Sequence, residues 1–155
     1  MKLGFSAASR LLISLLMLTF VVVSSTVRAQ EGAELSRTGQ ITSGQRDFRQ
    51  YCARCHGKQG IGNGPEAAAL KKKPANLTLL SRNNGGVFPE QKVRDFIDGG
   101  KVAEGHGTRE MPIWGYAFIY RPSSHNGPGG APLTEAEVKD KIGRLVDYVK
   151  SIQAQ

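Results

Sequence analysis

Both cysteines of the 155-residue chain lie in one five-residue stretch, Cys52-Ala53-Arg54-Cys55-His56. Two thiols three residues apart share one face of a helix, one turn apart. This C-x-x-C-H spacing is the attachment pattern of c-type haem. Each sulfur can add to one vinyl group at the porphyrin edge, and the next residue, His56, then offers its imidazole to the iron. Other chemistries use the same atoms. A thioredoxin-like C-x-x-C requires a βαβ setting, and no stretch of the chain alternates convincingly as a strand does. A zinc site needs four ligands, which the two thiols and some of His56, His106 and His125 supply arithmetically. A disulfide between Cys52 and Cys55 suits an oxidising compartment. The haem reading is favoured because the histidine, an export signal and a distal thioether all agree with it.

Helical periodicity surrounds the motif. Thr42-Ser43-Gly44-Gln45 has the spacing of a capping box. Behind it Phe48, Tyr51, Cys52 and Cys55 fall at i, i+3, i+4 and i+7, one helix face. The helix should end near Gly57, followed by a loop punctuated by Gly57, Gly60, Gly62, Gly64 and Pro65. Pro65 and Glu66 can open a short helix reaching Lys73, which Pro74 stops. Pro89 and Glu90 open another, with Val93, Phe96 and Ile97 as its stripe and Gly99-Gly100 as its end. Lys101 to Pro132 reads as irregular. Thr134 and Glu137 form a second capping box, with Leu133 and Val138 as a hydrophobic staple. Val138, Ile142, Leu145, Val149 and Ile152 then run as one stripe. The class is all-α, with short helices and long loops rich in the 19 glycines. Four modest stripes are little core for so much loop, so something else should fill the centre.

The N-terminus reads as an address. Lys2 and Arg10 precede an apolar run from Leu11 to Val23, and Val27-Arg28-Ala29 suits cleavage after Ala29. The run is short for a bilayer span, which needs roughly 20 apolar residues. Residues 1–29 are therefore expected to be a signal peptide and the location to be the periplasm, with membrane attachment only if the segment is retained. Residues 30–41 read as a flexible lead-in and 42–155 as the folded domain. Losing Lys2, Arg10 and Arg28 takes the formal charge from +8 to +5. That balance suits an acidic protein patch. It lacks the dense basic stripe of a nucleic-acid binder. Lys71-Lys72-Lys73, the single basic run, reads as a solvated helix end.

An iron held by His56 needs a sixth ligand or deliberately lacks one. Met1 and Met17 leave with the signal peptide, so Met111 is the remaining thioether, 55 residues after His56. Pro112 biases Met111 towards extended backbone, which suits a rigid loop presenting a side chain. Met111 is favoured over the core-filling role of most methionines. His106 competes as a second imidazole ligand, and His125 reads as a loop surface residue.

In these residues the chain resembles the bacterial class I monohaem cytochromes c, over essentially all of the mature region. Gly44, Phe48, Cys52, Cys55 and His56 look like that family's first helix, and Leu145, Tyr148 and Val149 like its last. Gly62-Asn63-Gly64-Pro65 and Lys73-Pro74-Ala75-Asn76-Leu77-Thr78 resemble its proximal loops, although Asp is commoner than Asn at both of those Asn positions. His106-Gly107 through Met111-Pro112-Ile113-Trp114-Gly115 is similar to a distal methionine loop. The resemblance implies that the first and last helices cross, with Gly44 allowing close approach and Phe48 against Tyr148. It implies that the Pro65 carbonyl accepts the His56 Nδ1 proton. It places Trp114 near a haem propionate, against an equally good role as a packed aromatic, and Arg109 is a weaker propionate candidate.

The expected function is then one-electron transfer through one covalent haem c with His56 and Met111 as axial ligands, with no enzymatic step of its own. A haem-based ligand sensor, or an electron-transfer subunit of a periplasmic dehydrogenase or oxidase complex, is the alternative. Expected partners are redox proteins: a membrane cytochrome complex, a periplasmic dehydrogenase, a terminal oxidase or reductase. A monomer is expected. The loop 116–132 reads as a docking surface or an insertion.

Overall fold

The computed structural model describes residues 32–99, 111–120 and 132–154. The expected signal segment 1–29, His106, Arg109 and His125 lie outside the described residues. The chain divides into two compact units, Met1–Gly39 and Gln40–Gln155. In the first, 32–39 are helical and exposed. The elements numbered below lie in the second.

Residues 32–51 are helical, and the part within the second unit, 40–51, is α1. Thr42 therefore does not begin the helix, and the expected loose lead-in is helical from residue 32. The reason is local: Ala33, Glu34, Leu35, Arg37 and Gln40 are strong helix formers, and no proline interrupts the run. A Thr-x-x-Gln pattern caps a helix only where the residues before it leave helical geometry.

After a turn at Cys52 the motif forms α2, Ala53–His56, which Gly57 closes with φ +77°. The Cys52 N–H bonds to the Phe48 carbonyl at 2.9 Å, so α2 prolongs α1. The expected helix after Pro65 shrinks to a 3₁₀ turn at Ala67–Ala69, and Leu70 is extended. The Glu66 N–H is already bonded to the Arg54 carbonyl, and the residue before Pro74 disfavours helix. Two more 3₁₀ turns follow, Leu77–Leu79 and Arg82–Asn84. The next helix, α3, is Glu90–Asp98, ended as expected by Gly99 in left-handed geometry.

Trp114–Tyr120 forms α4 within the stretch expected to be irregular. Trp114, Ala117 and Phe118 recur at i, i+3 and i+4, all buried. A side chain at Gly115 would strike Asp98 of α3, so the glycine lets the two helices meet. The last helix, α5, is Glu135–Ser151. Its capping box is complete: the Glu137 N–H donates to Thr134 Oγ1 at 3.3 Å, and the Thr134 N–H to Glu137 Oε2 at 2.8 Å.

The crossing of α1 and α5 is present as the resemblance implied. A Cβ on Gly44 would overlap the Arg144 carbonyl, so the helices touch backbone to backbone there. One turn on, the Phe48 and Tyr148 rings pack with centroids 5.1 Å apart. Phe48, Phe118, Leu145 and Val146 are fully buried. Lys141 of α5 bridges to Asp47 of α1 at 3.5 Å, both side chains mostly buried. The Lys141 ammonium also lies 4.9 Å from the ring centroids of Tyr51 and Phe118. Pairing matters there, because a lone buried charge is costly. α3, α4 and α5 pack against one another. Among the described residues there is no strand, and no helix is long and apolar enough to cross a membrane.

Candidate haem-attachment site

Three carbonyls of the motif, those of Arg54, Cys55 and His56, accept N–H groups from one glycine loop. Glu66 donates to Arg54 at 2.9 Å, Gly64 to Cys55 at 3.0 Å and Gly62 to His56 at 2.8 Å. The approach is so close that a Cβ on Gly64 would overlap the backbone of Arg54 and Cys55. That is why the loop carries glycine at 64. The Arg54 guanidinium holds the same loop from outside, with Nε 2.8 Å from Glu66 Oε1.

Cys52 and Cys55 are free and partly exposed. Burial, and then the nearby Asp47 carboxylate, push the Cys52 thiol up to about 12. Burial and Glu66 also push Cys55 up, against a smaller opposing pull from Arg54. Both sulfurs are thus neutral thiols at ordinary pH. Among the described residues no three acidic, histidine or cysteine side chains converge on one metal position.

The His56 imidazole is anchored by one bond. Its Nδ1 lies 3.0 Å from the Ala75 carbonyl oxygen. A carbonyl can only accept, so Nδ1 carries the proton and donates. Burial lowers the His56 pKa, outweighing the raising effect of that bond, and favours the neutral ring. A neutral ring protonated at Nδ1 keeps its lone pair on Nε2, the atom an iron requires.

The acceptor is Ala75 and not the expected Pro65. The loop around Pro65 lies against α2 and uses its N–H groups there, whereas the 74–77 segment is held against Gly60 and Gly62. The Leu77 N–H bonds to the Gly60 carbonyl at 2.7 Å. The Pro74 carbonyl fills the place a Cβ of Gly62 would take. The Asn76 side chain accepts from the Thr78 N–H at 3.0 Å and from its hydroxyl at 2.7 Å. Asn76 begins a 3₁₀ turn, and its Asn-x-Thr pattern was the available signal for that turn.

Met111 is 40% exposed at the bend leading into α4. Trp114 is buried, with its ring 5.6 Å from Tyr51 and 5.5 Å from Phe118. Its ring joins the start of α4 to the residue beside Cys52. Tyr51 and Phe118 complete the cluster at 5.2 Å. The helical spacing puts Tyr51 on the motif's face, and α4, which lies within the stretch expected to be irregular, supplies its aromatic neighbours.

The residues fit a c-type haem. Two neutral thiols stand one helical turn apart, a neutral imidazole keeps its Nε2 lone pair, and a glycine-lined loop holds their backbone. A family model described as cytochrome c oxidase, cbb3-type, subunit III matches residues 39–119, more than half of the chain. The chain belongs to this family: it is a c-type cytochrome with an all-α, cytochrome c-like fold, and haem-based electron transfer is the family's chemistry. The match runs from α1 through α4 and covers Cys52 to His56, the Ala75 loop, Met111 and Trp114. No curated protein and no solved structure matches the chain.

Proposed function

We propose that the protein is a periplasmic one-electron carrier with a single haem c, bonded through Cys52 and Cys55 and ligated by His56 and Met111. The observation that carries this reading is the His56 ring held by Ala75 with its Nε2 lone pair kept for a metal. When bound, the haem supplies a reversible one-electron iron couple. The rest is work for this chain's own atoms. Cys52 and Cys55 hold the porphyrin edge. The Ala75 carbonyl orients His56 and strengthens it as a donor. The Met111 thioether, a soft ligand, favours the ferrous state and raises the potential. The aromatic cluster of Tyr51, Trp114 and Phe118 excludes water beside the motif.

Export supports the same reading, since residues 1–29 have the pattern of a cleaved signal ending at Ala29. The basic balance of the remaining chain suits acidic faces on redox partners such as a membrane cytochrome complex, a dehydrogenase or a terminal oxidase. A second reading, an electron-transfer subunit within an oxidase complex, is favoured by the family's description as an oxidase subunit.

The test is an absorption spectrum and an intact mass of protein made in a host that attaches haem. One covalent haem and sharp ferrous low-spin bands are expected. A colourless product with the mass of the bare polypeptide overturns the proposal. Met111→Ala should open the sixth position and lower the reduction potential, and an unchanged spectrum and potential would remove Met111 as ligand.

A further inference from the structure

The C-terminal residues 152–154 lie outside the family match, yet they reach the loop that holds the proximal histidine. The Gln153 side chain makes three hydrogen bonds. Its Oε1 accepts from the Ser81 N–H at 2.9 Å. Its Nε2 donates to the Leu77 carbonyl and to the Val149 carbonyl, each at 2.7 Å. Beside it the Ala154 N–H donates to the Thr78 carbonyl at 2.8 Å. The neighbouring Ile152 is packed against the core and lies over Gly60, where a Cβ would meet its Cδ1 at 2.9 Å. The end of α5 is thus tied to both ends of the 77–81 turn.

That turn is the support of the Ala75 carbonyl. Asn76 caps it through Thr78, and Leu77 pins it to Gly60, so the peptide between Ala75 and Asn76 is fixed from its C-terminal side. The His56 Nδ1 proton meets the carbonyl that adjoins this turn. An amide serves here because one side chain must both accept from a main-chain N–H and donate to two main-chain carbonyls, and glutamine has both kinds of atom. A glutamate would keep the acceptor and lose both donors.

We infer that Gln153 is a positioning residue for the axial imidazole, acting through the 77–81 turn and the Ala75 carbonyl on His56. The inference rests on the haem reading proposed above. It assigns the C-terminal end of the chain a part in setting the proximal ligand, beyond closing the helix.

The test uses the full haem-loaded chain and the exchange of the His56 Nδ1 proton with solvent. The proton is followed by NMR in the diamagnetic ferrous state. The backbone N–H of Ile97 in α3 serves as an internal reference for global opening. Gln153→Ala and Gln153→Glu should each speed exchange of the His56 proton by at least about fivefold relative to Ile97. Asn76→Ala should do the same, and Asn76→Asp, which keeps the acceptor for Thr78, should stay near wild type. A His56 proton that exchanges at the wild-type rate in both Gln153 variants overturns the inference. So does an equal acceleration of His56 and Ile97, which would make Gln153 a general stabiliser only. Haem content is scored separately by mass. A wild-type chain without haem overturns both readings, whereas a loaded chain with an unmoved His56 proton overturns this one alone.

Discussion

The α1–α5 crossing and the motif that follows α1 are held by different physics. At the crossing, α1 meets α5 through side chains and bare backbone contact: Phe48 against Tyr148, with Leu145 and Val146 fully buried. At the motif, the holding forces are hydrogen bonds from a glycine loop to three consecutive carbonyls and from His56 to Ala75. The first region is bonded by burial, which is strong and indifferent to orientation. The second is bonded by directed contacts, individually weak after exchange with water but exacting in geometry. A crossing of helices sets whether the chain folds. A hydrogen-bonded loop sets where one imidazole nitrogen sits.

That contrast is open to attack at several points. Phe48→Ala should have the largest effect, removing a fully buried ring at a cost of about 3–5 kcal/mol. Urea unfolding followed by helical ellipticity measures it, and a loss below about 1 kcal/mol would mean that the crossing is not the core of the domain. Gly64→Ala comes next. Its methyl group would meet backbone that cannot rotate away, costing about 1–3 kcal/mol, with the damage centred on the motif. A visible spectrum of the haem-loaded variant should show altered axial bands at a denaturant concentration where Phe48→Ala has already unfolded. Thr134→Ala should cost about 1 kcal/mol by losing the cap of α5 while leaving the His56 environment unchanged.

The smallest effect is a dependence on pH. The Lys150 ammonium, 2.9 Å away, holds the exposed Glu90 carboxyl below its ordinary value of 4.5. A lowered folded pKa means that the unfolded chain takes up protons first as acid is added. The pair's contribution is therefore complete above about pH 4.5 and is lost as pH falls through the folded pKa. Because both groups are exposed, solvent screening keeps it under about 1 kcal/mol. Glu90→Gln should flatten that part of the stability profile between pH 6 and 3, roughly the range carboxylates titrate in. An unchanged profile would show that the pair is screened to nothing.

Much of the chain could be read before the structure. α5 announced itself with Thr134, Glu137 and a five-member apolar stripe, because both the cap and the period are local signals. α3 was equally plain, opened by Pro89 and closed by Gly99. The start of the first helix is not legible, because Thr42 and Gln45 mimic a cap inside a continuing helix. α4 is hidden: Trp114 to Tyr120 is short, lies between Pro112 and Pro122 with Gly115 inside it, and its periodicity spans barely two turns.

What the residues determined alone is the chemistry on offer: paired thiols, an adjoining imidazole, a thioether followed by proline, and the glycines that permit close approach. These are properties of side chains, so they can be read from the order of letters. What only the tertiary structure decided is which backbone atoms face them. Any residue can present a carbonyl, so nothing in the letters separates Pro65 from Ala75 as the partner of His56. Nor do they show Gln153 lying against a turn 72 residues before it. Such choices are made by how the chain closes on itself, because a main-chain oxygen acquires its meaning from what packing brings within 3 Å of it.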